Sequence, residues 1–299
     1  MDQYLESLLP WGTGIIQAVQ AGHTPFFDGL FKTVTFLGNV EGYLLLLPAI
    51  YWCIDARLGR RLGLVVFLSV ILNFVAKSIY NLPRPDPALV RVLVEESSPS
   101  FPSGHAQTTL VMWGYLFTVW RKRVFGILAG LVILLVGVSR VYLGVHFPQD
   151  VLGGWLIGLV LLGVFLWGGA RLGPVISAWP LWGQLVLAVV APLGLFFILP
   201  VDDAVPAAAA LLGFAVGVAL EQDHLRFSAD GVWRQRAIRY VAIVLVVAVW
   251  AGLRLVFPPG MFFRFVRYAL TGVTAAYVAP LIFIWLGWAG RDQPVSTGR

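Results

Sequence analysis

Apolar residues run in long blocks through this 299-residue chain, and charged residues fall mostly in the gaps between blocks. A helix that crosses a bilayer needs roughly 20 mostly apolar residues. Five blocks approach that length in the first part of the chain, at about residues 38–54, 61–80, 104–120, 124–138 and 150–166, and four more follow near 179–199, 204–220, 237–256 and 266–288. The pattern predicts an all-α, polytopic transmembrane helix bundle of about nine spans. Residues 1–36 depart from it, because His23, Pro25, Asp28 and Lys32 interrupt any clean run. That segment is expected to form short amphipathic helices at the interface, or to conceal a first span. After residue 80 the block ends at Asn81-Leu82-Pro83-Arg84-Pro85-Asp86-Pro87, where three prolines forbid helix. Residues 81–102 are therefore expected to be a loop.

Composition excludes a soluble domain. Such a domain carries about a quarter charged residues, whereas here 12% are charged and 59% are hydrophobic, with a mean hydropathy of +0.84. The net charge of +6 does not point to nucleic acid, because the cations cluster at block ends: Arg57, Arg60 and Arg61; Arg121, Lys122 and Arg123; Arg171; Arg226, Arg234, Arg236 and Arg239. Positive charge at span ends marks the cytoplasmic side. Counting spans from those clusters puts residues 77–105 and 139–150 on the opposite, extracytoplasmic face. A single cysteine, Cys53, allows no intrachain disulfide and no cysteine metal cluster, and it is expected to be a small buried hydrophobe. The opening residues, Met1 to Glu6, are acidic where a signal peptide is basic, so insertion is expected to come from the spans.

The chemistry gathers on that predicted face. Ser139-Arg140 through His146 to Asp150 places reactive side chains between two apolar blocks, and polar groups at membrane depth are costly unless paired or functional. His146 and Asp150 are four residues apart, so a carboxylate can orient the imidazole and raise its basicity. Ser103 is a natural N-cap for the block that begins at Gly104, and a helix start with a glycine admits an anion to free backbone NH groups. Lys77 lies in the last turn of an outward-running span and Arg84 in the loop above it. Taken singly, these residues read as a snorkelling anchor, a loop charge, a helix cap and a loop histidine. Together, Lys77, Arg84 and Arg140 with the helix start describe a pocket for a dianionic phosphoryl group. Two histidines, His105 and His146, suggest one nucleophile and one proton donor, and spacing alone does not say which is which. Two histidines and an aspartate also allow a three-ligand zinc site to be written, but three nearby cations repel a metal ion and no helical His-x-x-x-His spacing is present. No metal and no other cofactor are expected.

Lys77 with Arg84-Pro85, then Pro102-Ser103-Gly104-His105, then Ser139-Arg140 with His146 and Asp150 resemble, in order and complete, the three signature motifs of the type 2 phosphatidic acid phosphatase superfamily. The resemblance covers roughly residues 35–170. It implies a metal-independent phosphoesterase in which His146 forms a phosphohistidine supported by Asp150 and His105 is the general acid. It further implies that Lys77, Arg84, Ser103, Gly104 and Arg140 hold the phosphate.

The domain reading is interfacial helices over 1–36, a catalytic core over 37–172, and a transmembrane extension of unassigned role over 173–299 that has no counterpart in the minimal family core. The function expected is hydrolysis of a lipid phosphate or diphosphate at the extracytoplasmic interface of an inner or plasma membrane. Candidate substrates are phosphatidic acid, phosphatidylglycerophosphate and polyprenyl diphosphate. Rival readings are a phosphotransferase that passes the group to a lipid or sugar acceptor, and a lipid transporter or scramblase. The partners expected are the lipid substrate and the bilayer, with no nucleic acid and the oligomeric state left open. His23 and His224 are set aside as lying off the site. Asp202-Asp203 read as a solvated turn, and Glu95-Glu96 as a solvated charge pair, with a lid or headgroup-selecting role as the alternative.

Overall fold

The computed structural model describes residues 7–198 and 204–292, and helices dominate it as expected. In chain order they are α1 (Leu9–Gln20), α2 (Pro25–Phe36), α3 (Val40–Cys53), α4 (Ala56–Tyr80), α5 (Gly104–Trp120), α6 (Arg123–Tyr142), α7 (Pro148–Ser177), α8 (Leu181–Ile198), α9 (Val205–Leu220), α10 (Trp233–Val241), α11 (Ile243–Val256), α12 (Met261–Val273) and α13 (Ala279–Trp285). Single π-helical turns follow α9 and α12. Asp202 and Asp203 lie outside the described residues.

Among the described residues six continuous helical stretches are long and apolar enough to cross a membrane: α4, α6, α7, α9 with its π turn, α10 with α11, and α12 through its π turn into α13. The pair α2 and α3, bent by 49°, makes a seventh if taken as one broken span. The two remaining blocks of the expected nine form shorter helices: α5 has 17 residues, and the apolar part of α8 is Leu181–Leu195. On α7, Leu152, Leu156, Leu159 and Val160 are exposed while Gly154, Gly158 and Leu162 are buried. That split is the signature of a helix with one face to lipid and one to protein.

The chain divides into two compact units. The first comprises the described residues up to Tyr43 together with Leu68–Gly169. In it α6 packs against α1, α2 and α5. Ser69, Asn73 and Lys77 repeat at four-residue spacing on α4, which puts them on one helical face. Asn73 Nδ2 donates to Gln107 Oε1 at 3.0 Å and to the Pro102 carbonyl at 3.2 Å. Gln107 Nε2 in turn donates to the Ser69 carbonyl at 2.8 Å, and the Ser69 and Thr108 hydroxyls meet at 3.0 Å. Polar groups buried at membrane depth must find partners within the protein, and this ladder supplies them while fixing the register of α4 on α5. Above it, Gln20 Nε2 donates to the carbonyls of Arg91 and Tyr142 at 2.7 and 2.8 Å, and Asp28 accepts from the Tyr142 hydroxyl at 2.7 Å. The amino-terminal helices thus hold the 81–103 loop in place.

The second unit comprises Leu44–Phe67 and the described residues from Ala170 on. Its core is aromatic, with Tyr51, Trp52, Phe214, Phe227 and Phe283 buried together. The π turn over Thr274–Val278 disrupts the regular helical bonding. The carbonyls of Ala275 and Ala276 in this turn accept from Trp52 Nε1 at 3.1 Å and from the Tyr51 hydroxyl at 2.9 Å. Cys53 is buried as expected.

Candidate active site

The site lies within the first unit, at the ends of helices. His146 sits in the short connection between α6 and α7 and is 1% exposed. Its Nδ1 is 3.4 Å from Asp150 Oδ2, and its Nε2 is 3.4 Å from Arg84 Nη1. Asp150, one turn into α7, also accepts from the Phe147 amide at 2.9 Å and from the Ser100 hydroxyl. A carboxylate held by those donors fixes the proton of His146 on Nδ1 and leaves the Nε2 lone pair facing the guanidinium. Any basicity that Asp150 lends His146 is outweighed by its surroundings. Burial, then the charges of Arg140, Arg84 and Lys77, push the imidazole well below its usual range. Asp150 therefore orients a neutral ring.

Three cations converge beside that ring. Arg84 donates from Nη1 to the Val145 carbonyl at 2.6 Å and from Nε to the Ser98 carbonyl at 2.7 Å. Burial works against its charge, and Glu96 and Asp150 favour it. Arg140, in the last turn of α6, is 1% exposed, and its Nε has no hydrogen-bond partner among the described residues. Lys77 Nζ reaches the carbonyls of Pro99 and Ser100. The lysine is thus a buried part of the site and not a snorkelling anchor.

Ser103 is fully buried and caps α5, its hydroxyl accepting from the Ala106 amide at 3.5 Å while its own amide donates to the Asp150 carbonyl at 3.0 Å. The start of α5 is thereby tied to the start of α7. A Cβ on Gly104 would lie 2.8 Å from Asn73 Oδ1, so the glycine is also required by the polar ladder on α4. His105 follows on the first turn of α5, half-buried, with Nε2 2.7 Å from Asn39 Oδ1. Arg140, Arg84 and Lys77 act electrostatically on both histidines. All eight expected residues therefore meet at one site.

Four participants stand outside the eight expected residues, and of these only Glu96 was given an alternative role at the site. Glu96 bridges Arg140 and Arg84, pairing closely with the first and at 3.7 Å with the second, so it is not half of a solvated pair. Two desolvated guanidiniums draw the nearest carboxylate in. Ser100 supports Asp150, Thr35 Oγ1 accepts from Arg140 Nη1 at 2.7 Å, and Asn39 meets His105. Only Glu96 carries a charge that sequence reading weighs. Beside the cations a cavity of 410 Å³ is lined by Arg84, Glu96, Val92, Val94 and Val145 among others. Asp86 lines it too, so the cavity mixes apolar valines and prolines with one guanidinium and two carboxylates. His224 is exposed on the π turn of the second unit, outside this site.

Comparison with known proteins places these features. The chain is 44% identical over 112 residues to phosphatidylglycerophosphatase B of Bacillus subtilis, an alignment covering 34% of this chain and 54% of that protein. It is 32% identical over 188 residues to sphingosine-1-phosphate phosphatase 2 of Mus musculus, covering 60% of this chain and 52% of the relative. The chain thus spans about half the length of these curated relatives. Among solved structures, a transmembrane PAP2 type phosphatidylglycerolphosphate phosphatase from Bacillus subtilis aligns with a TM-score of 0.49 and 31% identity, over 55% of this chain and 87% of that one. The profile of the PAP2 superfamily matches residues 58–173, which contain all eight motif residues. A second profile, the PAP2 superfamily phosphatase transmembrane extension, matches residues 205–291. The carboxy-terminal spans, which had no counterpart in the minimal core, are therefore themselves a family feature, and by both halves the chain belongs to the PAP2 superfamily.

Proposed function

We propose that this integral membrane protein hydrolyses a lipid phosphate or lipid diphosphate through a phosphohistidine, without a metal. The observation that carries the reading is the environment of His146: a neutral imidazole, oriented through Nδ1 by Asp150, with Nε2 directed at Arg84 beside Arg140 and Lys77. Nε2 attacks phosphorus while the cations hold the phosphoryl oxygens. The bond from phosphorus to the lipid oxygen breaks, and that oxygen takes a proton from His105. Water then attacks the phosphohistidine, giving its proton to His105, and inorganic phosphate leaves.

A lipid substrate is supported by the valine- and proline-lined cavity at Arg84 and by the relatives named for phosphatidylglycerophosphate and sphingosine 1-phosphate. The arginine clusters at the opposite span ends favour an extracytoplasmic site in a cytoplasmic or plasma membrane. The test is phosphate release in detergent from a panel of lipid phosphates and diphosphates, with chelator present, for the wild type and His146→Ala. Release by the wild type alone is expected. Activity that survives the substitution, or that chelator abolishes, overturns the mechanism.

A further inference from the structure

Between α2 and α3 the chain reads Phe36-Leu37-Gly38-Asn39-Val40, a glycine and an amide residue set among apolar positions. The helix stops there. Gly38 N donates to the Thr35 carbonyl at 2.9 Å and Asn39 N to the Phe36 carbonyl at 3.1 Å, and the next helix starts as the Asn39 carbonyl accepts from Tyr43 N at 3.2 Å. The break is pressed against the catalytic histidine. A Cβ on Gly38 would lie 3.1 Å from His105 Cδ2 and 2.9 Å from Val136, closer than an ordinary side chain allows.

Asn39 Oδ1 stands 2.7 Å from His105 Nε2. An amide oxygen only accepts, so this bond requires a proton on Nε2. One turn earlier, Thr35 Oγ1 accepts from Arg140 Nη1 at 2.7 Å. The break thus touches both the acid and a phosphate-binding cation, although it precedes the matched core at residues 58–173.

We propose that Asn39 is the positioning residue of the acid–base histidine. Its side-chain oxygen keeps one proton on Nε2 throughout turnover, so the proton that moves is the one on the other ring nitrogen. The bound phosphate monoanion passes its hydroxyl proton to Nδ1, and as the bond from phosphorus to the leaving oxygen breaks, His105 gives that proton to the oxygen and returns to the neutral Nε2–H tautomer. In the second step Nδ1 takes a proton from the attacking water. Asn39 does for His105 what Asp150 does for His146, but without a charge, which leaves the acid readily deprotonated. The inference rests on the phosphatase reading above.

The test compares two substrates that share a phosphoryl group and differ in the leaving group. An alkyl lipid phosphate needs its leaving oxygen protonated, whereas 4-nitrophenyl phosphate expels a stable aryloxide without help. The ratio kcat/KM reads transfer to His146 only. Asn39→Leu is expected to lower kcat/KM on the alkyl substrate by roughly 30-fold, a fraction of what general acid catalysis contributes, and to leave the aryl substrate within about twofold. Asn39→Asp, which keeps an oxygen acceptor, is expected to recover most of the alkyl rate. Unchanged aryl turnover also reports that the variant folds, and Asn39→Ala replaces the leucine variant if the latter does not accumulate. An equal fall on both substrates, or no fall on either, overturns the proposal. A wild type inactive on every phosphate substrate overturns the phosphatase reading itself.

Discussion

Both units bury arginines, and they do so in opposite ways. In the second unit Arg239 is fully buried and donates to the carbonyls of Ser228, Ala229 and Asp230, ten or so residues away in the chain. Arg60 pairs at 2.8 Å with the buried Glu221, which also accepts from the Phe227 amide at 2.7 Å. Those charges are held by groups that nothing needs to displace. In the first unit Arg84 and Arg140 share one carboxylate, Glu96, whose side chain is 26% exposed. Long separations in sequence join that cluster, from Thr35 to Asp150. A buried cation whose partners are themselves buried and fixed contributes to the fold, while cations gathered around a partly exposed, displaceable partner form a binding site.

The largest expected effect tests that division directly. His146→Ala is expected to reduce phosphate release by at least about 1,000-fold, the scale seen when a covalent nucleophile is lost, with the melting temperature in detergent little changed. Arg239→Ala is expected to do the reverse. Leaving three carbonyls without their donor costs about 3 kcal/mol of stability, while the folded fraction keeps its specific activity. A folded His146→Ala enzyme with substantial turnover, or a stable Arg239→Ala protein without any, dissolves the contrast. Next in size, Arg140→Lys keeps the charge but loses the planar fork, and is expected to lower kcat/KM by roughly 100-fold.

How much of this was legible beforehand follows the same line. Lys77, Arg84, Ser103, Gly104, His105, Arg140, His146 and Asp150 stand in recognisable spacings, and helices formed where apolar blocks were long. Thr35, Asn39 and Ser100 were invisible because small polar residues near helix ends are common, and their importance comes only from what the fold brings opposite them. The polar stripe of Ser69, Asn73 and Lys77 was hidden for a related reason, since hydropathy averages over a helix and loses which face a residue occupies. Glu96 misled because an acidic pair in a loop is usually solvated, and two buried guanidiniums change that outcome.

Glu96 sharpens the comparison further. Its carboxylate sits between the two arginines expected to bind phosphate, so an arriving phosphoryl group must displace it. Glu96→Gln removes the competing charge while keeping the shape, and is expected to tighten inhibition by inorganic phosphate by about tenfold, the scale of one charge-assisted contact. The corresponding change in the second unit, Glu221→Gln, is expected to leave phosphate inhibition unchanged and to lower stability. Equal phosphate affinity in wild type and Glu96→Gln means the carboxylate does not occupy the anion's place.

The smallest expected effect is one of pH, and its sign follows from the depressed affinity of His146 for a proton. An unfolded histidine titrates near about 6.5. Above that value the residue is neutral in both states and contributes no pH dependence. Below it the unfolded chain takes up a proton that the folded protein refuses, so the folded state loses up to about 1.4 kcal/mol per pH unit until its own lower pKa is reached. Wild-type stability in detergent is therefore expected to fall more steeply from pH 6.5 downward than that of His146→Asn. Turnover follows the opposite logic: a ring still neutral at pH 6 remains a nucleophile, so kcat/KM, corrected for titration of the substrate phosphate, is expected to show no loss from His146 between pH 7 and 6. An acid limb centred at or above the ordinary histidine value would mean that Asp150 prevails over burial and the three cations. The nucleophile would then be an imidazolium at rest, and it would resemble the charge-paired residues of the second unit more than the poised site of the first.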